Sequence, residues 1–106
     1  MKIEELVGNL GLGLEDVKEL LELYVGATSS DLEVMQGAIS KNDTETIHER
    51  AHSIKGASGN LGLTDFYELA KDIDDQARAG NPEGLEAIYN DFAGKFQALV
   101  QEVENC

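Results

Sequence analysis

The sequence has little of what secreted and membrane-spanning proteins require. It contains one cysteine, Cys106, among 106 residues, so it cannot form an internal disulfide. Its N-terminus lacks the apolar run of a signal peptide, and no segment approaches the roughly 20 consecutive apolar residues that span a bilayer. We therefore expect a cytoplasmic protein without a membrane segment.

Positive charge is also scarce, with 8 Lys and Arg against 21 Asp and Glu and a formal net charge of −13. Such an acidic chain repels the phosphate backbone of nucleic acids and the anionic surface of membranes, so neither is an expected partner. The segment 41–55 departs from this trend because its basic and acidic residues balance. That locally neutral segment contains His52.

Strand-like alternation of apolar and polar residues is absent, and helical spacing runs through most of the chain. Hydrophobic residues make up 42% of the sequence and charged residues 27%, which is typical of a globular domain rather than a disordered one. We predict an all-α fold, in which residues 14–106 form an up-and-down antiparallel four-helix bundle as a single domain. A short N-terminal helical element, broken by glycines, is expected in residues 1–13.

Glycines and short polar residues predict where the helices begin and end. After Leu14, an interruption or bend is expected at Gly26 and in the polar segment 28–31. Three N-caps are expected: Asn42-Asp43 for the helix that contains His52, Thr64 for the next helix, and Asn81 for the last, with Pro82 at its first helical position.

The helix after Asn42-Asp43 carries a histidine on its polar side. At about 100° per residue, His52 lies roughly 140° from Ile47, so the imidazole should reach solvent. Lys55 and Gly56 follow one turn later, because residues three and four apart are neighbours on a helix. The stripe that points to the core consists of Ile47, Ala51, Ile54, Ser58 and Leu61.

These residue types suit phosphoryl transfer between proteins. The imidazole of His52 is a nucleophile that can accept a phosphoryl group, and the ammonium of Lys55 can stabilise the negative charge of that group. A glycine inside a helix costs about 1 kcal/mol relative to alanine, yet Gly56 and Gly59 both lie near the ring on its exposed side. We predict that these glycines, together with His48, form the surface that a partner protein contacts.

The string His52-x-x-Lys55-Gly56, followed by Asn60-Leu61-Gly62, resembles the signature of the histidine-containing phosphotransfer (HPt) domains of multistep phosphorelays. The resemblance covers most of the chain, from about Leu14 to Val103. It implies a helical bundle in which His52 is the phosphoryl carrier, Lys55 the neighbouring cation and Gly56 the gap that admits the partner.

The same resemblance implies the partners and the cofactors. A member of this family accepts the phosphoryl group from an aspartate on a receiver domain, passes it to another receiver, and has no kinase activity of its own. The expected partners are response-regulator receiver domains and a hybrid sensor histidine kinase. The receiver supplies Mg²⁺, so no metal or other cofactor is expected here, and the short chain resembles a free-standing member. Two positions depart from the family pattern: Ile54 stands where leucine is usual, and Asp74 where glutamate is common.

Two other interpretations compete with phosphotransfer. The segment from His48 to His52 matches H-E-x-x-H, the zinc-binding motif of metalloproteases, although only Glu68 is a conceivable third ligand. A helical interaction module whose His52 is never phosphorylated is the second alternative. The acidic run 72–75 is interpreted as a solvated face.

Overall fold

The computed structural model describes residues 3–81 and 83–105, and these residues form helices without any strand. The helices are α1 (Ile3–Leu10), α2 (Leu14–Ser40), α3 (Thr44–Asn60), α4 (Thr64–Arg78) and α5 (Leu85–Glu104). Along the chain, α2 packs against α3, α3 against α4 and α4 against α5, while α5 packs back against α2 and α1 also packs against α2. The predicted all-α bundle of four helices with an additional N-terminal helix is confirmed.

Helix α2 is one continuous helix of 27 residues, so the predicted interruption at Gly26 and residues 28–31 is wrong. Thr28 is only 1% exposed and lies between Tyr24 and Leu32, four residues from each. These three side chains are all buried on the same face of α2. Because the buried face runs on through Thr28, packing outweighs the weak helix propensity of this segment.

The predicted cap of the histidine helix is confirmed at Asp43. Its Oδ1 accepts a hydrogen bond from the backbone N–H of Thr46 at 3.2 Å, and its Oδ2 accepts one from the Thr46 hydroxyl at 2.7 Å. Helix α4 begins at Thr64 with Leu63 in the N-cap position. Thr64 is therefore the first helical residue rather than the expected cap.

The last helix starts later than the sequence predicts. Helix α5 begins at Leu85, and its N-cap is Gly84, whose φ of 84° favours glycine. The side chain of Asn81 instead accepts a hydrogen bond from the backbone N–H of Glu83 at 3.3 Å, so it stabilises the turn before the helix. Asn81 as the N-cap of the last helix is thus wrong, and Pro82 lies outside the described residues, as does Cys106.

The core holds α3 in a fixed rotation about its axis. Ile47, Ala51, Ile54 and Ser58 are all at most 2% exposed, as the stripe predicts. Leu61, the last member of the stripe, lies at the C-cap of α3 and is only partly buried. The hydroxyl of Ser58 lies 2.8 Å from the hydroxyl of Tyr24 on α2, and the two form a buried hydrogen bond. The opposite face of α3 therefore points away from the bundle.

Within the described part of the chain, no helix is both long and apolar enough to cross a membrane.

Candidate functional site

His52 lies in the middle of α3, on the face that points away from the core. Its side chain is 66% exposed, in agreement with the rotation predicted from the apolar stripe. The edge of the ring that carries Nδ1 is turned toward α4, where Nδ1 lies 3.8 Å from Oδ2 of Asp74. That distance is too long for a hydrogen bond, but it brings the carboxylate close enough to interact electrostatically with the ring.

Asp74 is the centre of the polar contacts around His52. Its side chain is completely buried, and its two oxygens have different partners. Oδ1 contacts Nδ1 of His48, and Oδ2 accepts a hydrogen bond from Nζ of Lys55 at 3.4 Å. Three side chains of α3 therefore approach one carboxylate of α4.

The interpretation of residues 72–75 as a solvated face is wrong for Asp74. This residue lies four positions after Ala70 and three before Ala77, and all three are buried on α4. That register is the sequence signal that identifies Asp74 as inward-facing, and it is obscured by the neighbouring acidic residues. Asp75, one position further, is 55% exposed and pairs with Lys71 at 3.0 Å.

The carboxylate of Asp74 is held in its ionised form by its neighbours. Burial acts to raise its pKa, but the hydrogen bond and charge of His48, followed by those of Lys55, outweigh burial and hold the pKa of Asp74 below its ordinary value. A buried charge needs such partners. At neutral pH the site therefore contains a fixed negative charge behind the imidazole of His52.

Lys55 and Gly56 form the rest of the predicted site. The side chain of Lys55 is 22% exposed, so most of its stem is covered while its ammonium is held at Asp74. A Cβ built on Gly56 would meet nothing within 4 Å, which means that the helix surface beside His52 is open to an approaching molecule.

Gly59 and His48, predicted at the partner-facing surface, each have a second contact within the protein. A Cβ on Gly59 would lie 3.4 Å from Cδ2 of Tyr67, an ordinary van der Waals distance, so the ring of Tyr67 packs beside this glycine. His48 is 34% exposed and contacts Asp74. The rings of His48 and His52 have centroids 5.9 Å apart and are tilted by 43°.

The zinc interpretation finds no support in the arrangement of side chains. Within residues 3–81 and 83–105, no group of three or more His, Cys, Asp or Glu is placed to hold a metal ion. Glu68, the conceivable third ligand, belongs to no such group.

A helical bundle that presents one exposed histidine beside a lysine and an open glycine defines a class of protein, the helical phosphotransfer domains. The family model described as Hpt domain matches residues 19–106. The chain therefore belongs to the Hpt domain family, and the resemblance seen in the sequence is confirmed. The general function of this family is histidine phosphotransfer in phosphorelays, and membership assigns that general function to this chain.

Among solved structures, the chain is similar to the histidine-containing phosphotransfer protein B (HptB) from Pseudomonas aeruginosa PAO1. The match has a TM-score of 0.81 and 22% sequence identity, and it covers 95% of this chain and 91% of that one. At this identity the likeness shows the shared fold. A comparison with curated proteins finds no significant match.

Proposed function

We propose that His52 accepts a phosphoryl group from the phosphorylated aspartate of a receiver domain and passes it to the aspartate of another receiver. The observation that carries the proposal is the exposed imidazole of His52, with Nδ1 turned toward the buried carboxylate of Asp74 at 3.8 Å. The ring is thereby oriented by an internal charge while its opposite edge remains accessible to a partner.

The orientation of the ring selects the nitrogen that reacts. A negative charge next to Nδ1 favours the tautomer with the proton on Nδ1, which leaves the lone pair on Nε2. Nε2 attacks the phosphorus of the aspartyl phosphate, a new N–P bond forms, and the P–O bond to the receiver's carboxylate breaks. The carboxylate leaves with the electron pair, and Nδ1 keeps its proton. The reverse reaction with a second receiver regenerates the neutral imidazole.

Lys55 contributes positive charge close to the negatively charged oxygens of the phosphoryl group on His52. Its Nζ is 3.4 Å from Oδ2 of Asp74, on the same carboxylate oxygen that faces His52. An ammonium held there stabilises the equatorial oxygens of the phosphoryl group during transfer and in the phosphohistidine product. In this proposal the chain carries the phosphoryl group without kinase activity or a metal of its own, and Mg²⁺ belongs to the receiver.

The open surface at Gly56 supports a docking partner of protein size. The proposed partners are response-regulator receiver domains and a hybrid sensor histidine kinase. The net charge of −13 argues against nucleic acid. A single cysteine in the sequence is consistent with exchange of the phosphoryl group in the cytoplasm.

The test is incubation of the protein with a purified receiver domain that has been phosphorylated with a labelled phosphodonor. We expect label on the protein that is stable to alkali and lost in acid, as a phosphoramidate is. His52→Gln should abolish the label and leave the helical circular dichroism unchanged. The matched control is Ser53→Ala, because Ser53 is the exposed hydroxyl next to His52 and its loss should not affect labelling.

Two results would contradict the proposal. Label that survives His52→Gln would place the accepting group elsewhere. Receiver binding without any transfer of label would instead favour the alternative of a helical interaction module.

A further inference from the structure

The two oxygens of the Asp74 carboxylate are divided between the two sides of the site. Oδ1 contacts Nδ1 of His48, whereas Oδ2 faces Nζ of Lys55 at 3.4 Å and Nδ1 of His52 at 3.8 Å. Oδ2, the oxygen that faces His52, does not contact His48, which contacts Oδ1 instead. Each oxygen of the carboxylate therefore has its own partner on α3, His48 for Oδ1 and Lys55 for Oδ2.

Rotation matters because nothing in the covalent structure of an aspartate fixes its terminal torsion. The final torsion of a carboxylate side chain has a broad energy profile, and hydrogen bonds decide where it rests. Asp74 is completely buried, so Oδ1 cannot exchange a lost partner for bulk water without disturbing the packing. Without a donor at position 48, the carboxylate would turn to share both oxygens with Lys55, which would alter its approach to His52.

We propose that His48 is a positioning residue for phosphotransfer: by donating from Nδ1 to Oδ1 of Asp74, it keeps Oδ2 aimed at Lys55 and at Nδ1 of His52. This inference deepens the proposed function and depends on it. His48 lies four residues before His52, one helical turn away, and the 5.9 Å between the ring centroids leaves each imidazole on its own side of the carboxylate. The effect of His48 on His52 therefore runs through Asp74 on the neighbouring helix.

The test compares variants that keep or remove the donor at position 48. His48→Phe keeps a planar ring and removes both ring nitrogens. His48→Asn loses the ring but places an N–H donor close to where Nδ1 lies. The first measurement is the single-turnover rate of transfer from a phosphorylated receiver. The second is the tautomer of His52 by ¹H–¹⁵N NMR, which requires no receiver.

We expect His48→Phe to slow transfer about tenfold and to move the ring proton of His52 away from Nδ1. His48→Asn should keep the rate within about threefold of the original and preserve the Nδ1–H tautomer, because it restores the donor. A merely structural role would not produce this pattern, since Phe preserves the shape of the side chain better than Asn does. Thermal unfolding of both variants checks that each remains folded.

Several results would overturn the inference. One is a His48→Phe protein that transfers at the original rate with an unchanged tautomer, and another is a His48→Asn protein as slow as His48→Phe. Should His48→Phe not fold, His48→Leu takes its place as the donor-free variant. If neither donor-free variant folds, a loss of more than about threefold in His48→Asn is sufficient to reject it.

Failure of the proposed function would be recognised separately. In that case the original protein itself would accept no label from the receiver. The tautomer measurement on His48→Phe would still show whether His48 orients Asp74 and His52.

Discussion

The ammonium of Lys55 on α3 and the carboxylate of Asp74 on α4 form an ion pair between helices, with Nζ 3.4 Å from Oδ2. The lysine is therefore anchored before any partner arrives, and most of its side chain is covered by the bundle. Anchoring reduces the conformational entropy that a free lysine would lose on contacting a phosphoryl group. The ion pair thus holds the positive charge of Lys55 in place beside His52 before a partner binds.

Replacement of Lys55 by Met should slow phosphotransfer to His52 by roughly tenfold to a hundredfold. Met keeps an unbranched apolar side chain but removes the charge that stabilises the transferring group. The matched control is Lys71→Met, which removes the same charge from an exposed lysine of α4 paired with Asp75. Rapid-quench measurement with a phosphorylated receiver gives both rates. Equal rates for the two variants would contradict a specific role of Lys55.

Replacement of Gly56 by Leu should stabilise the fold and slow the transfer. A Cβ at this position meets nothing within 4 Å, and glycine in a helix costs about 1 kcal/mol relative to better helix formers. The midpoint of thermal unfolding should therefore rise slightly, while the new side chain blocks the approach of a receiver to His52. Such an opposite change in stability and in rate separates a docking effect from damage to the fold.

Gly94→Leu is the control for Gly56→Leu. Gly94 is an exposed glycine of α5 with open space around a built Cβ, and α5 lies across the bundle from α3. We expect the same gain in stability and an unchanged transfer rate. If both leucine variants transferred equally well, the open surface at Gly56 would not be the docking surface.

Some features of the site follow from the sequence and others do not. The exposure of His52 follows from its angle to the stripe at Ile47, because one helix determines both. The sequence does not readily identify the role of Asp74, because a run of acidic residues resembles a solvated face. Only the four-residue spacing from Ala70 indicates that the side chain of Asp74 points inward. The pairing of Asp74 with His48 depends on how α3 and α4 are rotated against each other, and that rotation is a property of the packed bundle.

The same reasoning explains the error in α2. Gly26 and the polar segment that follows it have weak helix propensity, and such a local pattern predicts a break in the helix. The burial of Thr28 between Tyr24 and Leu32 supplies tertiary packing that no local pattern contains. Local propensity predicts the end of a helix well only where tertiary packing does not determine it. The exposed cap at Asp43 is such a place.

Removal of the buried hydroxyl of Tyr24 should destabilise the bundle without changing phosphotransfer. Tyr24→Phe leaves the hydroxyl of Ser58, which is 0% exposed, without its partner at 2.8 Å. The expected loss is about 1 to 2 kcal/mol in the free energy of unfolding. Urea unfolding measures this loss, and Tyr67→Phe is the control, with an expected change below about 0.5 kcal/mol. A slower transfer in Tyr24→Phe would show that the core and the site are coupled.

Ionisation of Tyr24 should also weaken the fold at high pH. Burial raises the pKa of Tyr24 above its ordinary value of 10.0, despite hydrogen bonds from Ser58 and Thr28 that lower it. A raised pKa in the folded state means that stability from the neutral phenol is present below pH 10 and is lost as the pH rises through the folded value. Tyr24→Phe should lose less stability than the original protein over that range. The same alkaline loss in both proteins would contradict this assignment.

The buried carboxylate of Asp74 should make the free energy of unfolding depend on pH in the acidic range. Its pKa in the folded state lies below the ordinary value of 3.8, so the ionised form stabilises the fold above that pH. This contribution should be lost as the pH falls from about 4 through the lower folded value, because protonation breaks the pairing with His48 and Lys55. Asp74→Asn, which resembles the protonated form, should therefore be less stable than the original by about 1 to 3 kcal/mol at neutral pH.

The difference in stability between Asp74→Asn and the original protein should shrink as the pH falls below about 4, because protonation of Asp74 in the unfolded chain, and then in the folded protein, removes the advantage of the charge. Asp75→Asn is the matched control, because Asp75 is 55% exposed and pairs with Lys71 at the surface, where ion pairs contribute little. Urea unfolding at neutral pH and near pH 3 measures the difference for each variant. A gap between Asp74→Asn and the original that is equally large at both pH values would mean that the carboxylate stabilises the fold by its shape and not by its charge, and the account of Asp74 as an ionised anchor for His48 and Lys55 would then be wrong.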